Sequence, residues 1–552
     1  MIIKKGRHLL LLAAFAAATI APAYAMEQDA QAERLQHQID ALQRQLHVLQ
    51  KQVNESKKAP RETPAQASVA AGATSTPASG SSLPLKAPIA MPAGVKVTVG
   101  GFLAAESVWR QHNTVSDIGT PFATIPYPFS PQYKEPEFRG TARQSRISLL
   151  IEGNLDPAQK LAGYFETDFL GVGVTSNYNQ SNSWAPRLRQ GDFTYDNTDW
   201  GFHFLAGQSW SMLTQNTVGI VTRKENIPLT IDANYVAGFD YTRNWQLRAV
   251  KDFGPTVSLG LSVEAPASLV FTGTGAIANN GTVNGLVVNF ANPGSSFLGS
   301  GGFPNNFNTE AAPDIIGKAA FDPGWGHYEV LGLARFFTDN LFTCDPLLVP
   351  ASGVCPFSTA NIGTAKAHVT VGEGVGGSVL LPVVPKLLDL QGSVLYGQGI
   401  GRYGASNLSD VVIGSDGTLS PITALHAMVG AVGHPWEGLD IYGYAGTERA
   451  DSKVFNSGAG PFGFGVATLN NLGCNVVTGA SFTGGVSNCA AVTKQVDHLT
   501  VGFWQNVYKG DYGRVATGLQ YEYIRRKSFD GVGGPVATDD NIVMSSLRWY
   551  PF

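Results

Sequence analysis

Asn541 to Phe552, NIVMSSLRWYPF, ends on a phenylalanine, with Tyr550, Met544 and Ile542 at even steps back from it. Period-two spacing is what a strand with one apolar face requires. A last strand that stops on Phe reads as the sorting signal used when β-barrels are inserted into the bacterial outer membrane. Arg548 and Ser546 break the apolar row, so the reading has to be carried by the rest of the chain.

The other end agrees. Lys4, Lys5 and Arg7 precede the apolar stretch Leu9 to Ile20, and Ala23-Tyr24-Ala25 offers small residues for cleavage, so residues 1–25 read as a secretory signal. The apolar run is far shorter than the roughly 20 residues that span a bilayer. No later segment offers such a run, so a mature protein held in a membrane must be held by strands. Loss of the signal takes the formal net charge from -4 to -7. That mild acidity does not suit a nucleic-acid partner. Sixty-four glycines, 31 prolines and only 14% charged residues across 552 residues describe an all-β chain with many turns. A mean hydropathy near zero suits a barrel whose apolar outside and polar inside cancel.

After the signal, Leu35, Ile39, Leu42, Leu46, Leu49 and Val53 recur at steps of four and three, which predicts a short N-terminal α-helical coiled coil within residues 26–55. Glutamines flank the seam (Gln36, Gln43, Gln50 and Gln38, Gln45, Gln52), so no charge code selects a foreign partner. Self-association is the expectation. Residues 56–94, rich in Ala, Pro, Ser and Thr, cannot bury a core and are expected to be a flexible linker.

Residues 95–552 carry sixteen alternating runs, beginning near 95, 143, 160, 187, 200, 239, 256, 312, 327, 367, 387, 422, 439, 495, 514 and 540. The connections between them alternate short and long. Short ones centre on Asp156-Pro157, Asp196–Asp199, Asp252–Pro255, Asp322–Gly326, Pro382–Lys386, Gly433–Gly438 and Lys509–Gly513. Long ones include 171–186, 213–238, 265–311, 399–421 and 449–494. This rhythm predicts a 16-stranded antiparallel transmembrane β-barrel, short turns in the periplasm and long loops outside. Both ends of the barrel, and the coiled coil with them, then lie on the periplasmic side. Closure is required, because an open edge in hydrocarbon leaves backbone groups unpaired. Cys344 and Cys355 fall in one long loop and Cys474 and Cys489 in another, so local disulfides are expected, with cross-pairing between the two loops as the alternative.

The segments SRISLLIEGNL (145–155), YFETDF (164–169), RLRQGDFTY (187–195), GLARFF (332–337) and VGFWQNVYKGDYGRVATGLQYEYI (501–524), in this order, resemble the DcaP-like porins over about residues 30–552. The resemblance implies a homo-trimeric, sixteen-stranded outer-membrane channel that passes small anionic solutes such as di- and tricarboxylates. A sugar-specific porin is an alternative reading. A structural outer-membrane protein that contacts the cell wall through its coiled coil is another.

Selectivity in such a pore would come from charges on the inward face. Arginine facing lipid at mid-membrane costs roughly 2–4 kcal/mol, so parity assigns Arg146, Arg248, Arg335 and Arg514 to the lumen, with Glu152, Glu166, Asp168 and Glu329. Arg189 shares parity with outward Phe193 and reaches the lumen only through a bulge near Gly191. In the third long loop, Arg223, Lys224, Glu225 and Asp232 are the constriction candidates. An enzyme is not expected. Gly372, Gly374 and Gly377 fit G-x-G-x-x-G, but no amphipathic helix follows them, so they read as tight strand packing. The ten histidines show no metal-binding spacing, and neither a metal nor a cofactor is called for.

Overall fold

The computed structural model describes residues 89–90, 94–171, 184–271, 282–283, 287–289, 310–343, 366–457, 460–476 and 489–552. The signal, the heptads, the linker up to residue 88 and Cys344 with Cys355 lie outside these residues. Within them the main sheet closes as sixteen antiparallel strands. They are β1 (Lys96–Arg110), β2 (Glu137–Thr141 and Arg146–Asn154, one strand interrupted at 142–145), β3 (Gln159–Asp168), β4 (Arg187–Asn197), β5 (Phe202–Trp210), β6 (Arg243–Phe253), β7 (Val257–Glu264) and β8 (Asp314–Phe321). They continue as β9 (His327–Thr343), β10 (Lys366–Val384), β11 (Leu388–Gln398), β12 (Thr423–Trp436), β13 (Leu439–Ala450), β14 (Thr493–Gly510), β15 (Gly513–Ser528) and β16 (Ala537–Tyr550).

Each strand pairs with its sequence neighbours, and β16 returns to β1 with Leu103 opposite Trp549 and Arg110 opposite Ile542. No edge is left for hydrocarbon to meet. Alternation along each strand sends Ile147, Phe165, Phe193, Leu261, Val375 and Leu519 outward, where they are exposed. Near the short turns stand Trp200, Trp325, Trp436, Tyr512 and Trp549, all exposed, forming an aromatic girdle at one rim. The glycine pattern at 372–377 lies inside β10. A Cβ on Gly372 would press into the Phe337 ring, so its absence leaves room for that ring.

The interior is not uniformly polar. Trp210, Ile227, Tyr235, Val236 and Phe239 pack on the inward faces of Met428, Val432, Tyr442 and Tyr444. These strands are apolar on both faces because the connection between β5 and β6 folds into the barrel and covers them. That loop is tied to the wall at successive strands. Asn216 N–H donates to Glu329 Oε1 (2.9 Å), Leu229 N–H to Tyr444 Oη (3.1 Å), Ile231 N–H to Gln520 Oε1 (2.6 Å), Ala237 N–H to His498 Nδ1 (3.2 Å) and Gly238 N–H to Glu448 Oε1 (2.8 Å). Gly238 has φ +85°, and a Cβ there would collide with the Ala427 carbonyl oxygen, so no other residue fits without moving the loop. Two more loops join it inside. Ile118, Phe122 and Ile125 of the first long loop meet Ile231 and Ala237. Ile400, Tyr403 and Leu408 of the sixth meet Met212, Leu213 and Leu333.

Candidate functional site

Away from these apolar clusters, charged side chains turn inward on β2 to β4 and at the Arg548 end of β16. Arginines gather there. In the β3–β4 ladder Glu166 pairs with Gln190 and Thr167 with Leu188, so Arg189 is the extra residue of a β-bulge. The bulge turns its side chain inward, where Nε lies 2.6 Å from Glu166 Oε1 and Nη1 2.9 Å from Asp168 Oδ2. Arg187 holds the same Asp168 as a fork, Nε to Oδ1 at 3.0 Å and Nη2 to Oδ2 at 2.7 Å. Arg146 reaches Glu166 Oε2 at 3.6 Å and lies over the Phe102 ring, while its buried Nε–H finds no protein acceptor. Arg548 clasps Glu106 with Nε (3.1 Å) and Nη2 (2.8 Å) beside Phe102 and Trp504.

Arg243 closes the group from the loop side. It lies close enough to Arg189 and Arg187 to feel their charge, yet its neighbours are rings. Nη1 donates to Tyr235 Oη at 3.3 Å, and Cζ sits 4.7 Å from the Trp210 centroid and 5.8 Å from that of Tyr241. Among the described residues it forms no ion pair with a carboxylate. Arg146, Arg187, Arg189 and Arg243 therefore face only Glu166 and Asp168, leaving two positive charges in surplus. Arg187 and Arg146 keep 37% and 19% of their side-chain surface open.

The other arginines assigned by parity sit elsewhere. Arg248 is 2% exposed, bound to Gln246 Oε1 (3.1 Å) and the Trp210 carbonyl (2.6 Å) beneath the loop. Arg335 is 1% exposed, locked between Asp314 (3.2 Å) and Asp410 (2.8 Å) and over Phe337. Arg514 lies at the girdled rim, donating to Asn506 Oδ1 (2.9 Å) with its guanidinium 4.0 Å from the Tyr550 ring. Glu152 pairs with Lys160 and Lys96 near the same rim. Glu329 is buried against Lys318 (3.0 Å), His327 (3.1 Å) and Ser378 (2.7 Å).

In the infolded loop Arg223 adopts φ +64° and aims at Asp192 (3.5 Å) and the Tyr164 ring. Lys224 contributes its backbone, its carbonyl accepting the Thr217 N–H at 2.8 Å. Glu225 is buried and accepts the Arg223 N–H (3.3 Å); burial lifts its carboxyl above the usual range. Asp232 is buried too. Burial pushes its carboxyl up to about 6, against the hydrogen bonds it takes from Thr120 N–H (3.2 Å) and Asn234 N–H (2.7 Å). It binds the first and third loops together. Cys474 and Cys489 form a disulfide, and Cys474 is fully buried beside Tyr127 and Val536.

Parity along the sequence assigns neither Arg187 nor Arg243 to the lumen. Arg187 opens β4, and its contact with Asp168 is a cross-strand pair across a long loop. Arg243 shares parity with outward Trp245, but it stands in the last pair of the β5–β6 ladder, opposite Trp210, where both strands turn into the infolded loop.

The fold is shared with a known channel. Over 84% of this chain and 99% of the other, the structure matches the outer membrane channel DcaP of Acinetobacter baumannii with a TM-score of 0.55 at 18% identity. An anion-selective porin from Comamonas acidovorans aligns at TM-score 0.41 and 9% identity over 83% of this chain and 99% of that one. OprB of Pseudomonas putida aligns at 0.41 and 11% over 82% and 94%. Scores at that level carry no weight for what this chain prefers. No family model and no curated sequence matches the chain.

Proposed function

We propose that the chain is an outer-membrane porin, a passive diffusion channel whose passage runs along the β1–β4 wall and favours small anions such as di- and tricarboxylates. The observation that carries this reading is Arg243, a guanidinium beside two others with no carboxylate of its own. A desolvated positive surplus attracts an anion as its counter-ion, and planar guanidinium forks suit carboxylate oxygens. The surplus is local, since the chain as a whole is acidic.

Fold likeness to an outer membrane channel, the closed barrel and the aromatic girdle support placement in the outer membrane. A homo-trimer whose coiled coils project into the periplasm fits the glutamine-flanked heptads within residues 26–55. Reversal potential in a planar bilayer under a salt gradient tests the reading. Wild-type pores should be anion-selective and Arg243→Ala should lose much of that preference; cation-selective wild-type pores would overturn it. Faster liposome swelling with uncharged sugars than with dicarboxylates would favour the sugar-porin alternative.

A further inference from the structure

Tyr235 is a residue of the infolded loop that pays in backbone conformation for its position. Its φ is +65°, in the region that side-chain-bearing residues avoid, and the same turn is fixed by its own N–H donating to the Asp232 carbonyl at 3.2 Å. The ring is held on three sides, edge-on to Phe239 (5.3 Å between centroids) and Tyr241 (5.0 Å) and tilted against Trp210 (6.0 Å). This strained, packed arrangement delivers one polar atom to one place. Tyr235 Oη accepts from Arg243 Nη1 at 3.3 Å, and Arg189 and Arg146 lie near enough for their charge to act on it.

Resting on the anion-channel reading above, we propose that Tyr235 is a specificity-determining residue, its hydroxyl occupying on Arg243, beside Arg189, the place that a solute's carboxylate oxygen would take. A neutral hydroxyl there competes weakly with an anion for the Arg243 guanidinium. An ionised one would be a tethered counter-ion and would cut the surplus of two positive charges to one.

The surroundings set when that happens. Burial alone would push the phenol up; the guanidiniums of Arg189, Arg243 and Arg146 outweigh it and bring the phenol down to about 8. The groups that face Tyr235 are these three arginines from β4, β6 and β2, Glu166 and Asp168 behind Arg189, and Tyr241 and Asp232 from its own loop. As pH rises through 8 the proton leaves the hydroxyl, so anion preference should decline on the alkaline side while the barrel is unchanged.

The test is the reversal potential under a potassium chloride gradient, taken from about pH 6 to about pH 9, for wild type and Tyr235→Phe. Wild type should lose anion over cation preference by about twofold or more across that range. Tyr235→Phe keeps the ring packing and removes the oxygen. It should be the more anion-selective of the two at every pH and show little pH dependence. A flat wild-type profile, which needs no variant to measure, or a variant that tracks wild type in both level and slope, would overturn the proposal. Because the comparison is of slopes, it is separable from the parent reading: wild-type pores that favour cations at about pH 6 sink the anion channel, whatever the slopes.

Discussion

Arg187 grips Asp168 with both edges of its guanidinium, Nε to Oδ1 at 3.0 Å and Nη2 to Oδ2 at 2.7 Å, while Arg189 holds the same carboxylate from the other side at 2.9 Å. One acid thus neutralises part of two arginines at the proposed passage. Asp168→Asn keeps the shape and removes the charge, raising the local surplus from two to three. Anion preference should increase, by about two- to threefold in permeability ratio, whereas Arg187→Ala should lower it. Reversal potentials of the two variants moving in the same direction would contradict this assignment.

Arg335 is predicted to behave differently from Arg243. Its partners Asp314 and Asp410 are buried, and Arg335→Ala leaves Asp410 without its ion-pair partner and Asp314 with Arg402 alone at 3.3 Å. Breaking a buried pair in this way costs about 3–5 kcal/mol. The temperature at which the barrel shifts mobility on a gel should fall for Arg335→Ala, with little change in ion preference for the molecules that remain folded. For Arg243→Ala the ordering should reverse.

Which parts of this were legible in the sequence follows from what period two can encode. Alternation such as Arg146 against Ile147 and Leu149 places whole strands, and all sixteen runs correspond to strands of the barrel. The same alternation cannot say which inward residues stay open. Met428, Val432, Tyr442 and Tyr444 face in and are apolar, yet only the three-dimensional path of the loop explains why. Nor does parity survive a local change of register. Arg189 points inward because a bulge adds one residue, and Arg243 because the ladder ends beside it. Arg248 and Arg335 kept the parity assigned to them but are covered by the infolded segments.

Gly238→Ala should widen or destabilise the passage. The φ of +85° and the Ala427 carbonyl together exclude a Cβ, so the loop must lift, breaking the neighbouring Gly238 N–H to Glu448 bond. Single-channel conductance should rise or become noisy. Unchanged conductance with an intact barrel would show that the loop does not limit flow.

Protonation of Asp232 should fasten the loop. Its folded pKa, about 6, lies above the unfolded value, so the contribution is fully present below about pH 4 and is lost as pH rises through 6. Limited proteolysis within residues 211–242 should therefore be slower at about pH 5 than at about pH 8. Asp232→Asn, which keeps acceptors for the Thr120 and Asn234 N–H groups, should remove that difference.

Ser107 and Ser545 meet hydroxyl to hydroxyl at 2.8 Å across the seam of the barrel, 438 residues apart. Every other ladder in the cylinder joins strands that follow one another, so hairpins can form in order from either end. The seam alone must wait for the whole chain, and until it zips, β1 and β16 are two naked rows of amide groups. Residues 542–549 of β16 form this last pairing. Any contact that covers residues 542–549 during folding would hold one lip of the unfinished cylinder and keep it from pairing with the wrong neighbour, so uncovering that edge and closing the wall would be a single event.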